Sequence, residues 1–215
     1  LADGAFAGTQ WVADEMKLRE LSTVPGLVNL DGNSVLGIEG LWHLDEEAWG
    51  GGATVLDSSP FGRHGVAQNG AAPTVPAQVG LRCAGLDGNN DYISIPEAVL
   101  LGDFSVAAWF KSGATSRSAI VSRQDGRFIL EFNGNGSATE AGRAAFVISD
   151  GVSTYSVAAS VDNLNDAAWH HVAEVRHGGH IYIYVDGVAA GSTYLEGNPM
   201  VVGGGSAYIG RHGTL

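Results

Sequence analysis

The sequence predicts an all-β fold of antiparallel strands packed as a two-sheet sandwich. Two observations carry this expectation. Short apolar runs alternate with period two, and turn residues separate them every 8–15 residues. Glycine is the third sign. Its 32 residues in a chain of 215 are about twice the usual share of roughly 7%. They cluster in stretches such as GGGA, NGNGS and VGGGSA, where positive backbone angles make tight turns.

The opening stretch FAGTQWVADEMKLRELS (6–22) is locally ambiguous. VADEMKLREL holds good helix formers. As a strand, it would turn Val12, Met16 and Leu18 inward and Glu15, Lys17 and Arg19 outward, with Asp14 an awkward inward acid. Segment 23–40, TVPGLVNLDGNSVLGIEG, is too apolar for a free linker and longer than a hairpin loop, so it is expected to pack on something. From Trp42 onward the strand pattern is regular. In FSVAAWFK (104–111) Phe104, Val106, Ala108 and Phe110 share one face. In HIYIYVDG (180–187) Ile181, Ile183 and Val185 share one face, and Tyr182 and Tyr184 share the other. RFILEFNG, AAFVISDG, STYSVAASV and WHHVAEVR behave alike, each bounded by Gly, Asn or Asp. Gly88 and Gly187 each follow an aspartate, as tight turns prefer. Trp42, Trp109 and Trp169 fall in strand-like runs, where a large ring can fill the space between sheets.

Composition excludes several classes of function. Net charge is −12, from 11 basic and 23 acidic residues. That balance argues against nucleic acid and anionic membranes as partners. No run approaches the ~18 apolar residues of a membrane span, so no direct membrane insertion is expected. Cys83 is the only cysteine, which leaves no internal disulfide and no zinc-finger site. The chain opens at Leu1 without an initiator methionine or a basic-then-apolar leader, as expected of a processed chain or a piece of a longer one.

Read in order, GLWHLDE (40–46), VLDSSPFGRHGVA (55–67), LRCAGLDGNNDYISIP (81–96), FSVAAWFK, IVSRQDGRFILEF (120–132), WHHVAEVR (169–176), IYIYVDGV (181–188) and AYIGRH (207–212) resemble the laminin-G-like, concanavalin-A-like jelly rolls. The resemblance covers about 41–215 and implies a jelly roll in an extracellular or cell-surface setting. In that family, a closing strand of the type F-x-G-x-I-D-E-V-R-I follows the glycine of AYIG. Here the chain stops at Leu215 before such a strand, and its elements appear at the start instead: Phe6, Gly8, Asp14 to Leu18, then Leu21 and Ser22. About three extra residues around Gln10–Val12 depart from the pattern, as a bulge would. The domain plan is thus a displaced closing strand (1–22), a connecting segment (23–40) and the jelly roll (41–215). Three explanations stay open: circular permutation, a cut from a tandem array, or donation of the strand to a neighbouring subunit. On the donation reading, Phe6, Gly8, Trp11, Val12, Met16, Leu18 and Leu21 form the assembly strand.

Candidate sites are sparse. His170 and His171 are adjacent, so on a strand they point to opposite faces and cannot share one ion. SRQDG (122–126) resembles a calcium-site segment of the related pentraxins, which would make Asp125 a ligand. Arg211 and His212 stand where the complementary acids belong. Asp87 and Asp91 in DGNND form a second acidic cluster, expected to cap a turn. No cofactor is expected, and calcium has no support beyond these residues. Glucanases of the related fold carry paired carboxylates about 5 Å apart. LDEEAW (44–49) has the wrong spacing for that, and no G-x-S-x-G occurs, so no enzyme activity is expected. Tyr182, Tyr184, Tyr155 and Trp49 are the aromatic residues available for stacking on a sugar. The leading expectation is a non-catalytic adhesive subunit that self-assembles with identical subunits through residues 6–21. The alternative is a glycan-binding, lectin-like module, calcium-assisted or calcium-free, in a circularly permuted or tandem-repeat surface protein.

Overall fold

A computed structural model of the chain describes residues 11–20, 38–49, 52, 54–96, 102–133, 142–197 and 205–213, the first of these segments by its backbone. Among them there is no helix, and two antiparallel eight-stranded sheets pack face to face. The first sheet runs in the order β15 (Val188–Tyr194), β14 (His180–Val185), β13 (Trp169–His177), β8 (Phe104–Ser112), β1 (Trp11–Glu20), β6 (Cys83–Leu86) and β5 (Ala72–Thr74). Strand β2 (Ile38–Trp42) also pairs with β1. The second runs β12 (Thr154–Ala158), β11 (Ala144–Ser149), β10 (Phe128–Phe132), β9 (Ser118–Arg123), β16 (Ala207–Ile209), β7 (Tyr92–Ile95), β4 (Gly65–Gln68) and β3 (Thr54–Val55).

The ambiguous opening segment is a strand. Helix propensity differs among these residues by only tenths of a kcal/mol each, whereas an edge of β8 left bare in the sheet interior forfeits every ladder bond. β1 pairs with β8 from Trp11↔Ser112 to Glu20↔Phe104. Its other edge is shared: Trp11–Ala13 pair with β6, and Met16–Arg19 pair with β2. Among the described residues the register shifts between Asp14 and Met16. The shift sets Ala13 opposite Phe110 and Met16 opposite Ala108, while Val12 stands opposite Lys111. Phe6, Gly8, Leu21 and most of 23–40 lie outside the described residues.

Alternation does the rest. Phe104, Val106, Ala108 and Phe110 are buried, as are Ile181, Ile183 and Val185. Three rings tie the sheets together: Phe104 from β8 meets Phe128 at 6.3 Å and Phe146 at 6.4 Å, and those two are 6.1 Å apart. Edge-to-face packing of this kind adds to the burial of each ring. Trp42 is fully buried, and a Cβ at Gly40 would run into its indole, so glycine is required there. The turn Asp186-Gly187 has both residues at positive φ (50° and 80°), which fits a two-residue hairpin between β14 and β15. Asp57 organises the segment before β4. Burial works against its charge, but it accepts the backbone N–H groups of Leu41, Ser59 and Arg63, and these hold its carboxyl below the usual range.

Glu174 is the discordant core residue. It lies on β13 between Val106 and Ile183, fully buried, and among the described residues neither carboxyl oxygen has a hydrogen-bond partner. Burial pushes its pKa well above the ordinary value, so the group folds in its neutral form. The unfolded chain loses this proton above pH ~4.5, so stability is full below that pH and declines as pH rises through and beyond it.

Two outcomes follow. Glu174→Leu raises stability at pH 7 by ~1–3 kcal/mol and flattens the decline between pH 5 and 8, read by urea denaturation across that range. Deleting residues 1–22 leaves one edge of Phe104–Ser112 without its partner. The truncated chain then loses the single cooperative thermal transition, read by calorimetry.

Candidate functional site

The outer face of the first sheet gathers several aromatic rings, most of them half-buried and Tyr194 exposed. Because β8 alternates, the residues between its core positions are Ser105, Ala107, Trp109 and Lys111, all half-buried on the opposite face. Register carries that face across the sheet. Trp109 stands beside His171, Ala107 beside Ala173, and Ala173 beside Tyr184. Ser105 stands beside Val175, which neighbours Tyr182. His177 pairs with His180, and His180 with Tyr194. The result is a floor of small side chains, Ser105, Ala107 and Ala173, bordered by rings. The Trp109 and His171 rings meet edge-on at 5.1 Å. Farther along, His180 stacks on Tyr182 at 5.9 Å and meets Tyr194 at 5.1 Å, with Tyr194 exposed. Rings held against each other lose little freedom on binding, and a flat ring offers the apolar face that the C–H groups of a sugar need.

The aromatic residues singled out from sequence separate into two groups. Tyr182 and Tyr184 lie on this face. Tyr155 sits on β12 of the other sheet, packed against the core, and its hydroxyl donates to the Glu196 carbonyl at 2.9 Å. Trp49 also packs against the core and donates to Glu46 at 3.0 Å. Of the tryptophans read as inter-sheet fillers, Trp42 is one, whereas Trp109 and Trp169 face outward in half-buried positions. The signal for Trp109 was present: with Phe104, Val106, Ala108 and Phe110 inward, period two puts residue 109 outward.

His170 and His171 point to opposite faces, as alternation requires. His170 lies 2.9 Å from Asp186 and 3.2 Å from Asp166, which pins two loops together, and its ring lies 6.1 Å from Phe110. Asp125 is engaged by Arg123 and by Arg127, the latter at 3.4 Å. Asp87 accepts the N–H groups of Asn89, Asn90 and Asp91, and those bonds hold its carboxyl below the usual range. Asp91 accepts the N–H of Asp87 at 3.1 Å, and burial raises its carboxyl. Both acids serve the turn. Among the described residues, no three His, Cys, Asp or Glu side chains are grouped to hold a metal ion.

The second sheet is closed over more of its outer face. Glu131 is buried there, held by Arg117 at 2.8 Å. His212 lies 3.6 Å from the same carboxylate. Burial and the adjacent Arg117 charge outweigh that attraction and bring His212 down to about 4, so it is neutral at neutral pH.

Two packed antiparallel sheets around a continuous inter-sheet core define a jelly-roll sandwich. The chain belongs to the concanavalin A-like lectin/glucanases superfamily, whose family model matches residues 87–214. Solved structures with the same fold include the binding domain of Paraclostridial Mosquitocidal Protein 1, 11% identical, with a TM-score of 0.61 over 74% of this chain and 42% of that one. The botulinum neurotoxin serotype D binding domain is 14% identical, with a TM-score of 0.55 over 76% of this chain and 42% of that one. A botulinum neurotoxin type C structure, described with cell entry dependent on two ganglioside molecules, is 10% identical, with a TM-score of 0.57 over 82% and 44%. The chain spans less than half the length of these proteins. No curated protein matches it. No helix among the described residues is long and apolar enough to cross a membrane.

Proposed function

We propose that this chain is a non-catalytic, extracellular glycan-binding module whose ligand lies on the outer face of the first sheet. The observation that carries the reading is the small-residue floor of Ser105, Ala107 and Ala173 bordered by Trp109, His171, Tyr184 and Tyr182. A saccharide ring stacks its C–H face on an indole or phenol, and the small floor lets it approach the sheet. The histidine nitrogens and tyrosine hydroxyls at the border are the polar groups that would orient it. Membership of a superfamily of lectins and glucanases, and a fold shared with toxin binding domains, support the class. The absence of enzyme activity is part of the proposal, and it rests on the same likeness to binding domains.

A second reading concerns assembly. β1 pairs with β8, β6 and β2 of its own sheet, which supports a self-closed sandwich. The same ladders would form if identical subunits exchanged this strand. The 17 residues between Glu20 and Ile38 give the length for it, reaching up to ~58 Å when extended. The self-closed form is preferred because it satisfies every pairing of β1 without a partner.

Glycan-array binding followed by calorimetric titration, with and without Ca²⁺, tests the first reading. Tyr184→Ala and Tyr182→Ala are expected to weaken the best hit about tenfold each, ~1.4 kcal/mol, while the thermal midpoint changes little. Silence on the array, or affinity untouched by both substitutions, overturns it. Light scattering tests assembly: a monodisperse monomer supports the self-closed strand, and polymers that vanish when residues 1–22 are removed support exchange.

A further inference from the structure

The second sheet carries a cluster that the aromatic face of the first does not explain. Tyr92 on β7 and Tyr208 on β16 meet edge-on, with centroids 5.4 Å apart and planes at 82°. The guanidinium of Arg211 lies over both rings, 4.7 Å from the first and 5.2 Å from the second. Arg211 is nonetheless exposed. Its backbone is held on either side. Ser122, fully buried, donates its hydroxyl to the Arg211 carbonyl at 2.5 Å, and the N–H of Gly210 donates to Ile120 at 3.1 Å. The side chain is thus oriented by two rings and its stem is anchored, so little freedom remains to be lost on binding.

The fork of this arginine is open. Among the described residues no carboxylate pairs with Arg211, whereas Arg63 is paired with Glu39 at 2.9 Å, Arg117 with Glu131 at 2.8 Å and Arg127 with Asp125 at 3.4 Å. In a chain of net charge −12, a permanent cation that stacks on rings rather than on an available acid presents a planar set of donors to solvent. The sheet beside it is polar. Register places Gln68 beside Tyr92, and Ser94 beside Tyr208, and the Gln68 amide lies 3.4 Å from the Ser94 hydroxyl. The Asp87–Asp91 turn, immediately before Tyr92, is the nearest acidic element along the chain. Its carboxylates are committed to backbone N–H groups of that turn.

The geometry points to a second ligand site, on the outer face of the second sheet, for a carboxylate-bearing sugar. The Arg211 fork pairs with the carboxylate, the Tyr92 and Tyr208 rings wall the sugar, and Gln68 and Ser94 meet its hydroxyls. Uronic and sialic acids share this chemistry. The site lies on the opposite sheet from Tyr182 and Tyr184 and does not depend on the function proposed for them.

Calorimetric titration of the whole chain with sialyllactose against lactose, and with a glucuronate-terminated disaccharide against its methyl ester, tests the proposal. At least one acid is expected to bind about tenfold or more tightly than its neutral partner, and which one identifies the sugar class. Arg211→Ala should remove that preference, and Arg211→Lys should recover only part of it, because an ammonium lacks the fork. Equal affinity for acid and neutral sugars, no binding of either acid, or a preference that survives Arg211→Ala overturns the proposal. A lowered thermal midpoint in Arg211→Ala without acid binding in the parent chain would make the stacking purely structural and overturn it as well.

Discussion

Strand β8 runs through the middle of the first sheet, and its second edge needs a partner. β13 covers one side through Arg176↔Phe104 to Trp169↔Lys111, and β1 covers the other through nine paired positions. A backbone edge that long cannot be abandoned inside a sandwich. Its ladder bonds, at about 1 kcal/mol each, together rival the ~5–15 kcal/mol by which a domain is stable at all. The same requirement fixes β1 as a strand, seats β6 and β2 along its far edge, and keeps Phe104, Val106 and Phe110 between the sheets. Much of the remaining architecture rests on that one pairing.

Period-two alternation then divides each strand between core and surface. On β8 it buries Phe110 and turns Trp109 outward, and on β14 it buries Ile183 and turns Tyr184 outward. The core rows lock the sheets through the Phe104, Phe128 and Phe146 rings. The outer rows inherit that rigidity, so rings at the surface are held by a packed framework rather than by loops. A face of this kind is suited to recognition without movement.

Buried charge is handled differently on the two sheets. Glu131 lies under the outer covering of the second sheet, paired with Arg117 at 2.8 Å and with a neutral His212 nearby. Glu174 lies in the inter-sheet core with no hydrogen-bond partner among the described residues and stays neutral. Arg211 is the opposite case: a cation left at the surface, oriented by rings, with no acid among the described residues to quench it. Burial keeps Glu174 neutral, a nearby guanidinium partners Glu131, and exposure leaves Arg211 open to solvent.

Alternation and turn chemistry are local. They sufficed for the all-β class, for the inward rows of β8 and β14, for the outward Tyr182 and Tyr184, and for the division of His170 from His171. Family resemblance added the jelly roll. Three things were not legible. Whether VADEMKLREL is helix or strand depends on an open edge some ninety residues away. Tyr155 and Trp49 read like surface rings, but neighbouring elements draw them against the core. The approach of Tyr92, Tyr208 and Arg211 joins strands far apart in sequence, and only their adjacency in the second sheet brings the guanidinium over the rings. Sequence by itself determined which residues face in and which face out; tertiary structure decided which outward residues meet, because that depends on the order of strands across a sheet.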